Sequence, residues 1–176
     1  PFGLGGALVG AIYPATVVLG VHHMFNALEA TLIANTGIDN FNPIISCCNV
    51  AQGAACLAVF VKTRSMKKKE LALPSGISGF LGITEPAIYG VNLPSMKPFI
   101  AAMIGGAVGG ALVSILGVVS IAYGITGIFG FLITTGHSVA YATCILVAAV
   151  IAFAITWTLY KDAEDITQTK EEQKPN

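Results

Sequence analysis

Between residues 76 and 160 only two side chains carry a formal charge, Glu85 and Lys97. A soluble domain needs many more charges on its outer surface, so this half of the chain belongs in lipid or inside other protein. The composition agrees: of 176 residues 55% are hydrophobic and 10% charged, with a mean hydropathy of +0.77, far from the average soluble domain. The remaining charges gather at residues 62–70 and from Lys161 onward, and the formal net charge is zero. There is no basic stripe for nucleic acid. Pro1 leads straight into a Gly-rich apolar run without a basic start, which is not a signal peptide, and the chain is expected to begin in mid-protein.

With lipid as the solvent, the chain reads as an all-α membrane protein with about four transmembrane helices plus re-entrant hairpin segments. The expected spans are residues 2–21, with Pro14 as a kink, 43–61, 98–123 and 139–160. The third would be about 39 Å long if helical throughout. Within it, GGAVGG sets Gly105 with Gly109 and Gly106 with Gly110, two small-xxx-small pairs that let a neighbouring helix approach closely. No Lys-Ser/Thr follows, so it is not a phosphate loop. Residues 22–42 mix histidines, acids and asparagines with apolar side chains and read as helix, loop or both. Residues 124–136 are too short and glycine-broken to span, and read as a re-entrant hairpin or an extracellular turn. Trp157 and Tyr160 fall where an interfacial aromatic belt would lie. The four cysteines, Cys47, Cys48, Cys56 and Cys144, lack zinc or disulfide spacing and read as packing residues.

The basic cluster of Lys62, Arg64, Lys67, Lys68 and Lys69 places its loop in the cytoplasm. If the polar tail at 161–176, expected to be disordered, is cytoplasmic too, the spans 98–123 and 139–160 already use up an even number of crossings. The stretch GITEPAIYGVNLP, residues 82–94, must then enter and return. Such a segment leaves backbone groups unpaired except where protein or a water-filled cavity surrounds it, as at transporter sites. It carries Glu85, whose burial in lipid would cost about 2.5–3.5 kcal/mol on insertion scales. Its structural reading is a helix cap or a partner of Lys97. Its functional reading is a ligand contact: a carboxylate accepts charge-assisted bonds from two neighbouring hydroxyls at once.

His22 and His23 stand at an apolar boundary, followed by Asn26 and Glu29. Adjacent side chains point to opposite sides of a helix or strand, so at most one histidine is expected to face a site. Neither a metal site nor a cofactor is expected, because no further ligand arrives at the right spacing. Asp39, in NTGIDNFNP, reads first as a turn residue. Nucleophile-elbow, zinc-protease, kinase and nucleotide motifs are absent, so any phosphoryl donor must come from elsewhere.

GITEPAIYGVNLP, with HHMFNALE upstream, resembles the membrane-embedded IIC component of the bacterial phosphoenolpyruvate-dependent sugar phosphotransferase system. The likeness is to the sucrose, trehalose and β-glucoside branch of the glucose superfamily. It runs over residues 1 to about 160 and covers the C-terminal half of a IIC domain. The resemblance implies a multi-pass protein of the bacterial inner membrane, a homodimer. Such a protein binds a disaccharide or glucoside, with sucrose placed ahead of trehalose and β-glucosides, for transfer of a phosphoryl group from the phosphocysteine of a IIB domain. The fragment alone would not be active. It also implies that Glu85 binds sugar hydroxyls and that His22 or His23 lies near the hydroxyl to be phosphorylated. Thr84, Tyr89 and Asn92 are further substrate-binding candidates by proximity in the motif. The tail is either a true C-terminus or the start of a linker to a IIA domain. Two other readings compete: a proton-coupled secondary sugar transporter using Glu85, and a membrane scaffold whose glycines serve only packing.

Overall fold

The computed structural model describes residues 3–134 and 136–162. Every regular element among them is helical. In chain order they are α1 (Leu4–Val18), α2 (His23–Thr36), α3 (Phe41–Lys62) and α4 (Met66–Phe80), then the short turns α5 (Glu85–Ala87) and α6 (Leu93–Ser95) on either side of a π-helical stretch (Ile88–Asn92), then α7 (Lys97–Leu116), a 3-10 stretch (Gly127–Ile133) and α8 (Ser138–Leu159). The chain is an all-α membrane protein, and α3, α7 and α8 are long and apolar enough to cross a bilayer. Two expected spans match within a few residues. The one expected over 98–123 stops at Leu116, where Gly117 adopts φ 63° and closes the helix with a left-handed cap. The first is shorter as well: α1 has 15 residues, about 22 Å of helix, against a hydrocarbon core of about 30 Å. The mixed region resolves into α2 and a turn at Asp39, which accepts the Phe41 N–H at 2.7 Å and the Asn42 N–H at 3.2 Å.

Helix α3 is the axis of the molecule. Its most apolar window is 83% buried, against 44% for α7 and 28% for α8, so α3 is covered by protein and α8 by lipid or other chains. The glycines of α7 serve two neighbours. Gly106 and Gly110 meet Gly10 and Gly6 of α1, where a Cβ on either α1 residue would overlap an α7 carbonyl, while a Cβ on Gly105 would lie 2.6 Å from Ala148 O of α8. The four cysteines are free and buried.

Residues 66–95 form a hairpin. Helix α4 runs back along α3, close enough that a Cβ on Gly79 would lie 2.8 Å from Gly53 Cα. The chain turns at 81–84, with Gly82 at φ 97°, and returns through the π-helical stretch, where Gly90 rests against Leu71 of α4. Its end at Pro94 and Ser95 lies beside Lys68, where the hairpin began. The GITEP segment therefore enters and returns at one end, as the charge parity required. The returning arm is tied to α3 through Asn92, which donates to Gln52 Oε1 at 2.7 Å and Gln52 O at 3.0 Å, and accepts from Cys56 Sγ at 3.3 Å.

The end of α8 closes onto the basic loop. Asp162, 5% exposed, accepts from Lys68 Nζ at 2.8 Å, Thr63 Oγ1 at 2.7 Å and the Arg64 N–H at 2.8 Å. Burial alone would raise this carboxyl, but the bonds from Lys68, Thr63 and the Arg64 amide outweigh it and hold it well below the usual carboxylate range. Asp162 was expected in a disordered tail and is instead a fixed group; residues 163–176 lie outside the described residues. Tyr160 also departs from the aromatic-belt expectation. It is 2% exposed and donates to Asp162 Oδ1 at 3.2 Å.

Candidate functional site

Four segments that are remote in sequence meet at a polar cavity of about 160 Å³. The turn between α1 and α2 supplies His22, and α2 itself supplies His23, Asn26 and Glu29. Helix α3 supplies Asn49. The hairpin tip supplies Gly82, Thr84 and Glu85, and the segment before the 3-10 stretch supplies Thr126. The tip is held in place from the side. Asn49 Nδ2 donates to Gly82 O at 3.3 Å and to Thr126 Oγ1 at 3.0 Å, and a Cβ on Gly82 would overlap Thr126. A larger groove of about 550 Å³ runs along Val21, Met24, Phe25 and Leu28, but its apolar lining lacks the convergent polar groups that would orient a polar ligand.

His22 Nε2 stands 3.6 Å from Glu85 Oε1, with the two side chains 16% and 47% exposed. That gap is too long for a direct hydrogen bond and leaves the carboxylate open to a ligand. Glu85 thus faces His22 rather than Lys97, which forms no ion pair among the described residues. Both histidines line the cavity, and their ring centroids are 4.1 Å apart. That both border it departs from the expectation that at most one would: His22 immediately precedes α2 with helical backbone angles and His23 is its first residue, and consecutive residues of a helix stand about 100° apart rather than opposed. Thr84 is 4% exposed and lines the cavity.

Two of the candidates from the motif lie elsewhere. Tyr89 points away along the returning arm and donates its hydroxyl to Val17 O of α1 at 2.9 Å. Asn92 is fully buried in its bonds to Gln52 and Cys56. Both hold the hairpin against its neighbours.

Sequence reading passed over Asn26, Glu29, Asn49 and Thr126. For the first two a signal existed: His22, Asn26 and Glu29 follow the i, i+4, i+7 spacing of one helix face. Asn49 belongs to a stripe on α3 with Asn42, Ser46, Gln52 and Cys56, hidden because the run reads as a plain apolar span. Glu29 is 1% exposed and Asp39 is 0% exposed; burial, with the charge of Asp39 added to it, pushes the Glu29 carboxyl up to about 8. Among the described residues no group of His, Cys, Asp and Glu is arranged to hold a metal ion.

Fold and site together define a helical membrane protein whose re-entrant hairpin sets a carboxylate beside a histidine at a polar cavity. The family model "Phosphotransferase system, EIIC" matches residues 1–106, and the chain belongs to that family. It is 48% identical over 164 residues to the sucrose-specific EIIBC component of the phosphotransferase system of Bacillus subtilis (strain 168), an overlap of 89% of this chain and 35% of that protein. It is 47% identical to the sucrose-specific EIIBC component of Salmonella typhimurium, over 92% of this chain and 36% of that protein. With the sucrose-specific EIIBCA component of Pediococcus pentosaceus the identity is 38%, over 90% and 25%. The chain spans about a third or less of the length of these curated relatives. No solved structure matches it.

Proposed function

We propose that this chain is the sugar-binding part of a sucrose permease of the phosphotransferase system, in which transport and phosphorylation are one event. The observation that carries the reading is the His22–Glu85 pair at the wall of a polar cavity, in a chain of the EIIC family whose relatives are named for sucrose. Glu85 accepts hydrogen bonds from two adjacent sugar hydroxyls, the bidentate task for which a carboxylate is suited. His22, with the His23 ring tilted against it, stands beside the hydroxyl to be phosphorylated and takes its proton as the oxygen attacks. The new bond is from sugar oxygen to phosphorus; the bond that breaks joins phosphorus to the cysteine sulfur of a IIB domain, which leaves as thiolate. Thr84 completes the sugar contacts, while Tyr89 and Asn92 fix the hairpin that carries them. The protein is a multi-pass homodimer of the bacterial inner membrane, and the clasp of Asp162 on the basic loop marks the cytoplasmic face.

The test supplies cells carrying the complete gene with labelled sucrose. The expected intracellular pool is sucrose phosphate, formed only with phosphorylated IIB. Free sucrose accumulated in response to a pH gradient would overturn the reading in favour of a proton-coupled transporter.

A further inference from the structure

Asn49 is 3% exposed and sits at the cavity wall. Its two amide hydrogens are used: Nδ2 donates to Gly82 O and to Thr126 Oγ1. Because both partners are acceptors or hydroxyls on the nitrogen side, this network also assigns which end of the amide is oxygen. That oxygen, Asn49 Oδ1, is buried and finds no hydrogen-bond partner among the described residues. Native proteins pair nearly all such atoms, because an acceptor stripped of water and left bare is costly. A second cavity residue has the same property, since His22 Nδ1 is also buried and unpartnered. Polar atoms without partners on two sides of one cavity fit a ligand rich in hydroxyl donors.

We propose that Asn49 is a further sugar-binding residue: its Oδ1 accepts a hydrogen bond from one hydroxyl of the bound sugar while its Nδ2 holds the hairpin tip. This rests on the sugar-binding reading of the cavity. The arrangement links recognition to the hairpin, because the amide that meets the sugar also carries the backbone of Gly82, three residues before Glu85. It adds a neutral acceptor to the charged one, and so a second direction from which hydroxyl orientation is read.

The test uses the complete protein in membranes and measures binding of sucrose and its monodeoxy analogues. In the parent, at least one analogue binds ten-fold or more weaker than sucrose and marks the hydroxyl that Asn49 meets. In Asn49→Ala, sucrose falls to the level of that analogue and the difference between the two shrinks to within two-fold. A purely structural role would instead lower all sugars together and preserve every difference. Asn49→Asp, which keeps an acceptor oxygen, retains the discrimination and decides the matter if the alanine variant does not accumulate. Unchanged differences in Asn49→Ala, or discrimination lost in a folded Asn49→Asp, would overturn the assignment of Asn49 alone. A parent that binds no sucrose would overturn the sugar site itself.

Discussion

Glu85 would be an expensive residue if lipid surrounded it, and the fold removes that cost by opening a polar cavity in front of it. On the proposed sugar-binding reading, its charge, rather than its shape, is what a pair of hydroxyls needs. Glu85→Gln should therefore weaken sucrose binding by ten-fold or more, whereas Lys97→Gln, at the start of α7 and away from the cavity, should leave it within about two-fold; equilibrium binding on the two variants checks this. Tyr89 makes the complementary case. Its hydroxyl bonds Val17 O, so Tyr89→Phe should lower stability by about 1 kcal/mol with sucrose affinity nearly unchanged, read from thermal melts and binding on the same preparation. Both residues were legible as important in GITEPAIYG. Their division of labour was not, because a motif gives spacing along the chain and not the direction in which each side chain leaves the hairpin.

At the scale of elements, the hairpin and the glycine seam are the two devices that position the site. The seam sets α1 against α7 at backbone contact, which fixes where the His22 turn emerges. Gly106→Ala puts a methyl 2.8 Å from Gly10 O and 3.1 Å from Cys48 Sγ, and should cost about 1–3 kcal/mol by overpacking. Substrate affinity should fall with it, because α1 leads directly into the turn that bears His22; Gly5→Ala, with open space around its Cβ, is the control that should do neither. The same spacing in GGAVGG foretold close helix approach. It could not foretell two partners, since which neighbour each pair meets depends on the arrangement of α1, α3 and α8.

For the whole molecule, the Asp162 clasp closes one end of the bundle by joining the end of α8 to the loop between α3 and α4. Asp162→Asn should cost about 1.5–3 kcal/mol at neutral pH, the range for bonds to a charged acceptor. The folded carboxyl titrates below its unfolded value of about 3.9. Its contribution is therefore fully present above that value and is lost as pH falls from it through the lower folded one. Melting curves of parent and variant should differ fully at pH 7 and draw together progressively as the pH falls below about 4. An equal gap at all pH values would mean that the charge of Asp162 does not hold the clasp.

Charge scarcity by itself determined that the chain is helical and membrane-embedded. The parity of basic and apolar segments determined that GITEP must turn back, because lipid allows few ways to satisfy a backbone. Tertiary structure alone decided the site. Asn49 and Thr126 are 77 residues apart and meet through one hydrogen bond of 3.0 Å, and His22 reaches Glu85 only because α1 is drawn against α7. Periodicity and composition act over a few turns of chain, whereas a cavity is made by the packing of segments that share no local pattern.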